Sequence, residues 1–184
     1  MTRIAPLAAD DADDEQRSLL VDTEQRLGRV PNLYASMAHS PAALRGYLGL
    51  RDALSGGVLG AVERELLALL VAQDNDCGYC VAAHVFRGRR MQIIDEDLLR
   101  ARRADSPEPH TRAVLRLARS VLARRGRVAD AELAEARAVG VTDAEVLEVV
   151  AHVALNVLSN YVNHVARPTL DFPPVSTTLG EDAA

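Results

Sequence analysis

Helix starts and stops recur from one end of this sequence to the other, and no stretch alternates apolar and polar residues between turn formers as a half-buried strand does. That pattern restricts the chain to an all-α fold of about eight helices. The first is expected near 13–28, ended by Val30-Pro31, with a short helical stretch at 33–38 after it. Ser40-Pro41 supplies an N-cap followed by proline at the first helical position and opens a helix that runs to Gly56-Gly57. The next, 60–73, carries an apolar face at Val62, Leu66, Leu69 and Leu70. Asp74-Asn75-Asp76 interrupts it and is read as the cap of a helix from about Cys77 to Arg90. Asp95 caps a short helix to about Ala104, and Ser106-Pro107 repeats the earlier start signal ahead of a helix ending at Gly126. Thr142 with Glu145 forms a capping box for a long helix that Pro168 stops. The segment 168–184, with Asp171-Phe172-Pro173-Pro174, reads as coil, and 1–12 as an acidic lead-in.

A chain of 184 residues without a low-complexity linker is most simply one domain, 1–184. Its two halves share a plan, a glycine turn, a strongly apolar helix and then a segment with histidine, which is consistent with an internal duplication. Composition removes several chemistries. All 21 basic residues are arginines, so there is no lysine amine for a Schiff base, pyridoxal phosphate or a Walker loop. A net charge of −5 gives no footprint for nucleic acid or an anionic membrane, and the absence of tryptophan leaves little for base stacking. The longest apolar run, Leu66 to Ala72, is too short to span a bilayer, and the first residues lack a signal-peptide core. A cytoplasmic protein is expected. In that reducing compartment the two cysteines, Cys77 and Cys80, point to redox or metal chemistry rather than to a structural bridge.

Those cysteines carry the chemistry. On a helix Cys77 and Cys80 stand at i and i+3, and His84 follows at i+4 from Cys80, so all three share one face. The imidazole can take a thiol proton or stabilise the thiolate, which is the reactive form. Glu65, on the preceding helix, orients His84 or relays a proton if the turn at 74–76 folds the chain back. Two effects compete over which sulfur attacks. The helix N-terminus favours Cys77, whereas a hydrogen-bonded imidazolium favours Cys80 by several pKa units. The imidazolium is the stronger effect, so Cys80 is expected to be the nucleophile and Cys77 the resolving thiol.

Glu65, the Cys77-x-x-Cys80 pair and His84, at these spacings in an apolar helical setting, resemble the alkyl hydroperoxidase D-like branch of the carboxymuconolactone decarboxylase superfamily, with a motif core at 59–90. Similarity to its uncharacterised peroxidase-related members extends through Val30-Pro31-Asn32-Leu33-Tyr34 and through Asn160-Tyr161-x-Asn163-His164 with Asp171-Phe172-Pro173. The resemblance implies an all-helical AhpD-like bundle, trimers or hexamers, and cofactor-free, thiol-dependent reduction of hydroperoxides at the expense of an external dithiol or thiol protein. It implies the same roles for Cys80, Cys77, His84 and Glu65. The best-studied branch has a histidine where this chain has Tyr79, so the relay at Cys77 and the reductant are where this chain departs from it.

Other readings weigh less. Zinc on Cys77, Cys80 and His84, with Glu65 or His164 as fourth ligand, lacks a second tightly spaced ligand pair, and c-type haem is excluded because Val81 follows Cys80. A sensor whose disulfide changes its surface without turnover, and a decarboxylase, are the functional alternatives; a C-x-x-C pair has no role in the latter. Glu148, His152, Asn156, Asn160 and His164, joined by Ser159 and Asn163, form a polar stripe on the last helix. It reads first as a solvent-facing side, with a polar network at a subunit contact or beside the dithiol as the alternative. The arginines 87, 89, 90, 100, 102, 103, 124, 125 and 127 read as solvated helix ends, with binding of an anionic substrate as the minor alternative.

Overall fold

The computed structural model describes residues 1–180, and among these it contains nine helices and no strand. They are α1 (Asp14–Leu27), α2 (Asn32–Met37), α3 (Pro41–Ser55), α4 (Ala61–Asp74), α5 (Gly78–Arg90), α6 (Asp95–Arg102), α7 (Pro109–Arg124), α8 (Asp130–Ala138) and α9 (Asp143–Ala166). The expected start and stop signals act where they were read. Asp13 and Gln16 cap α1 reciprocally, Ser40 Oγ accepts from Ala43 N–H ahead of Pro41, and Thr142 and Glu145 close the capping box of α9. Three starts differ. Helix α7 begins at Pro109, a second proline suited to a first helical position, while Ser106 Oγ accepts from Glu108 N–H just upstream. Helix α6 is preceded by Ile94 as its cap, and Asp95 is its first residue. Helix α8 buries only Ala136, so it has no apolar stripe for a sequence pattern to show.

Helix α4 is the axis of the molecule. Seven apolar residues in a row leave it no polar side, and Leu66 to Ala72 are all buried beneath α5, α6, α7 and α9. The main core joins these helices through Leu67, Leu70, Val81, Val114, Leu115 and Val149. A second cluster, built on Leu20, Leu33, Tyr34, Leu44 and Tyr47, ties α1, α2 and α3 to Leu155 of α9. Tyr79 packs against both clusters, so the dithiol helix sits at their junction.

The stripe on α9 is not a solvated face. His152, Asn156, Ser159, Asn160 and Asn163 are buried, Asn160 completely. The reason is a reversal of the usual amphipathic arrangement along most of its length: the large apolar residues Leu147, Val150, Leu158, Tyr161 and Val165 are exposed, and of the stripe His164 is exposed with them. Some of the buried groups are satisfied locally, Asn156 Nδ2 donating to His152 O at 2.8 Å and Ser159 Oγ to Asn156 O at 2.9 Å. At the ends of the stripe, His164 Nε2 meets Asn75 O at 2.8 Å, and Glu148 accepts from Val58 N–H at 2.7 Å and Leu59 N–H at 3.0 Å. The Glu148 carboxylate occupies the space a Cβ at Gly57 would fill, which is why the loop into α4 turns on a glycine.

The coil after α9 is fixed rather than loose. Asn32 Nδ2 donates to Thr169 O, Gln73 Nε2 to Thr177 O and Arg102 Nη2 to Ser176 O, at 3.0, 2.8 and 2.5 Å. This corrects the reading of Arg102 as a solvated helix end, since it is buried and also donates to Gln73 Oε1. Positions 181–184 of the expected coil lie outside the described residues.

Candidate active site

Helices α4 and α5 form a hairpin, and its turn builds the dithiol. Asn75 closes α4, Asp76 takes a left-handed φ of 52°, and Cys77 N–H donates to Ala72 O at 2.9 Å. The acidic cluster therefore makes the turn, and Cys77 itself is the N-cap of α5: its Sγ accepts from Cys80 N–H at 3.4 Å. The two sulfurs are joined in a disulfide with their Cα atoms 5.3 Å apart. Cys77 and Cys80 are only 2 % and 3 % exposed. The sulfur of Cys80 also receives a hydrogen bond from α9, where Asn163 Nδ2 donates at 3.1 Å.

The hairpin sets Glu65 of α4 against His84 of α5, as the sequence required if the turn folded back. His84 Nδ1 lies 2.7 Å from Glu65 Oε1. A carboxylate oxygen that close to a ring nitrogen needs a proton between them, so Nδ1–H donates and Nε2 carries the lone pair, with Arg87 Nη2 3.4 Å from it. Arg87, one turn further along α5, donates through Nε to the same carboxylate oxygen at 3.2 Å, and its Nη2 lies 2.6 Å from Nδ1. Its charge therefore rests against the imidazole, so Arg87 is a helix-end arginine that stays 47 % exposed yet is paired with the site.

These contacts set the protonation states. Burial holds the His84 pKa below the ordinary histidine value, the Arg87 charge lowers it further, and the opposing pull of Glu65 is weaker. Burial works to raise the Glu65 carboxyl, but the His84 charge once that ring is protonated, the Arg87 charge and the hydrogen bonds of both hold it below the usual carboxylate range. With the disulfide formed, the site at neutral pH is a carboxylate, an arginine and a neutral imidazole. Both shifts act on stability in the same direction. The unfolded chain binds a proton at His84 as pH falls below 6.5, where the folded chain resists it. The Glu65 contribution is present above its ordinary value of 4.5 and is lost as pH falls through its lower folded value. The urea midpoint is expected to fall between pH 7.5 and 5.5, and His84→Gln to flatten that fall.

The Tyr79 hydroxyl is held by the C-terminal segment and α2. It donates to Asp171 Oδ2 and accepts from Leu33 N–H at 3.3 Å, while Asn32 N–H donates to the same Asp171 oxygen at 2.8 Å. Burial and the Asp171 hydrogen bond push the Tyr79 phenol well above its ordinary value. Phe172 packs on Tyr79 and Phe86 at centroid distances of 5.7 and 5.6 Å, with the Arg29 guanidinium 4.8 Å from its ring centre. The segment 169–178 is thus strapped across the start of α5, and the methyl of Thr177 lies 4.0 Å from where a Cβ at Gly78 would be.

The structure also supplies neighbours that the motif alone does not indicate. Tyr47 is buried against Tyr34, ring centres 5.5 Å apart, and Arg51 Nη1 reaches the Tyr34 hydroxyl at 3.5 Å. Burial and Tyr34 push the Tyr47 phenol up, and the Arg87 charge works against them, which places this aromatic pair beside the Glu65–His84–Arg87 group. Tyr34 lies in the Val30–Tyr34 stretch that carried part of the resemblance, which was the available signal. A cavity of about 660 Å³ between α7 and α8, whose lining includes several arginines and acids, contains none of the site residues. Among the described residues, no three His, Cys, Asp or Glu side chains are grouped to hold a metal, and no helix is long and apolar enough to cross a membrane.

Residues 41–107 match the Carboxymuconolactone decarboxylase family. No curated protein sequence matches. Among solved structures, an alkylhydroperoxidase AhpD core, an uncharacterized peroxidase-related protein from Ralstonia eutropha JMP134, is 26% identical, with a TM-score of 0.73 over 95% of this chain and 94% of that one. A peroxidase-related protein from Silicibacter sp. TM1040 is 20% identical, with a TM-score of 0.76 over 94% and 93% of the two chains. The debrominase Bmp8 is 18% identical, with a TM-score of 0.76 over 93% of each chain, a likeness of fold. The residues that build the dithiol hairpin fall inside the matched span and the helical bundle follows these structures almost end to end, so the chain has an AhpD-like helical fold in which residues 41–107 are similar to the Carboxymuconolactone decarboxylase family.

Proposed function

We propose that this protein is a thiol-dependent hydroperoxide reductase acting in the cytoplasm. The observation that carries the reading is the convergence of the Cys77–Cys80 pair with a hydrogen-bonded Glu65–His84 couple on one helical hairpin. In the reduced enzyme, His84 Nε2 takes the Cys80 thiol proton. The Cys80 thiolate attacks the terminal oxygen of the hydroperoxide, an S–O bond forms, the O–O bond breaks, and the alkoxide leaves as alcohol with the proton held on His84. Sulfur has been oxidised by two electrons to a sulfenic acid. Cys77 then attacks that sulfur, the disulfide forms and the hydroxyl departs as water. An external dithiol, small or carried on a protein, returns two electrons and two protons. No cofactor is required.

The test is steady-state peroxide consumption with dihydrolipoamide as reductant. A reductase consumes many equivalents and produces an equal amount of oxidised dithiol; a sensor oxidises once and stops, and a decarboxylase does neither. Stoichiometric oxidation without turnover, with each of a panel of dithiols, would overturn the proposal.

We also propose that the protein assembles as a trimer or hexamer. Between Leu147 and Val165 the outward side of α9 is apolar at intervals of three and four residues, and Glu148, the one charged residue in that span, is held by the loop into α4. A second copy of the chain is the occupant that such a self-matching ridge suits. Light scattering is expected to give three or six times 19.9 kDa for the wild type. A double substitution, Leu158→Glu with Tyr161→Glu, is expected to lower that mass. A monomeric wild type sinks the idea.

A further inference from the structure

The polar seam of α9 ends on the reacting sulfur, and this contact has a chemical consequence. Asn163 is 5 % exposed, and a buried carboxamide is costly unless its groups are used. One of them is: Nδ2 donates to Cys80 Sγ at 3.1 Å. The other, Oδ1, is buried without a hydrogen-bond partner. Among the described residues Asn163 is the one side chain that donates to either sulfur; Cys77 Sγ accepts from a backbone N–H of its own helix, at the longer distance of 3.4 Å.

We propose that Asn163 is a catalytic residue, whose Nδ2–H stabilises the Cys80 thiolate and whose vacant Oδ1 accepts the hydroxyl of the sulfenic acid formed on that same sulfur. This rests on Cys80 being the nucleophile of the proposed peroxidase cycle.

A thiol or disulfide sulfur is a weak acceptor, and a thiolate is a strong one. A fixed donor therefore favours the charged form, as a hydrogen bond to any anion does. The donor is needed because the imidazole is kept neutral by burial and Arg87, so the charge stabilisation expected from an imidazolium is weakened where it was to act. The carboxamide contributes without any proton transfer of its own. As sulfur gains oxygen the negative charge leaves it for the departing alkoxide, and the new S–OH group has a proton to donate. The carbonyl of the same amide is the adjacent acceptor. One neutral side chain thus serves sulfur before and after the O–O bond breaks.

The ionisable groups flanking Cys80 on its own helix are Cys77, Tyr79 and His84, with Arg87 against His84. Helix α4 brings Glu65 to His84, and the C-terminal segment brings Asp171 to Tyr79. Between Asn156 and Asn163, α9 adds only Tyr161, which is 57 % exposed. Removing the amide therefore changes the sulfur through the lost hydrogen bond and not through a lost charge.

The test uses the full chain with Cys77→Ser, so that Cys80 is the one thiol, and compares Asn163→Ala and Asn163→Asp in that background. The rate of iodoacetamide alkylation is followed from pH 5 to 10, and single-turnover oxidation by cumene hydroperoxide at pH 7. Both variants are expected to move the alkylation midpoint upward, by about one unit for alanine, since that is the tenfold loss a modest hydrogen bond to an anion represents. Oxidation at pH 7 slows about tenfold as the thiolate fraction falls. Aspartate keeps the side-chain volume but sets a carboxylate against the sulfur, so it moves the midpoint further than alanine. Midpoints unchanged in both folded variants overturn the proposal, as does a loss of rate equal at every pH, which marks a merely structural defect. The alkylation midpoint is read without peroxide. A shifted midpoint alongside a wild type that does not turn over peroxide therefore defeats the peroxidase reading while leaving the thiolate contact standing.

Discussion

Replacing Cys80 by serine is expected to lower steady-state peroxide consumption by three orders of magnitude or more, roughly the scale on which removal of a covalent nucleophile acts. The argument is local. Cys80 is the sulfur held by Asn163 at 3.1 Å and the one placed one helical turn from the His84 base. Cys77→Ser is expected to behave differently. It retains the first chemical step, consumes one equivalent of peroxide, and then stalls as a sulfenic acid with nothing to resolve it. Intact mass after one equivalent separates the two: one added oxygen on Cys77→Ser and none on Cys80→Ser. The reverse pattern would reassign the nucleophile to Cys77, whose position at the helix N-terminus is the competing advantage.

The second large effect concerns the base. His84→Ala is expected to cost about 10²–10⁴ in the rate of Cys80 oxidation at pH 7, the range typical of a positioned general base. The environment of the imidazole gives the pH dependence a sign. Arg87 holds the His84 pKa down and Glu65 pulls it up. Arg87→Met is thus expected to move the acid limb of the pH–rate profile to higher pH, and Glu65→Gln to lower pH, with a loss of rate in both. Single-turnover oxidation from pH 5 to 8 in the three backgrounds tests this. Acid limbs that move together, or not at all, would show that His84 is not the group being titrated.

The helices were legible because their ends carry chemistry that works locally: Asp13 with Gln16, Ser40 with Pro41, and Thr142 with Glu145 act within four residues of themselves. Helix α8 was not, because it lies on the core with a single buried alanine and needs no stripe. Cys77, Cys80 and His84 were legible for the same reason as the caps, being close in sequence, while Glu65 was singled out through the spacing that the resemblance supplied. What could not be read were pairings set by the third dimension. Arg87 looks like any basic residue at a helix C-terminus until Glu65 is seen across from it. The α9 stripe was misassigned because periodicity separates a polar from an apolar side but does not say which side faces inward. Asparagine and histidine in place of glutamate and arginine were the hint, and the apolar residues exposed on the opposite side are the structural answer.

The strap over the dithiol has a consequence for how the protein is made. The Tyr79 hydroxyl meets its Asp171 partner across 92 residues of sequence. When α5 leaves the ribosome its two thiols are already adjacent, but their cover and Asn163 have yet to be translated. At a typical pace of about 5–20 residues per second, that interval lasts roughly 5–20 s. Throughout it the nascent chain presents an open C-x-x-C pair to whatever oxidants and thiols surround it, an exposure that ends once the segment 169–178 has docked.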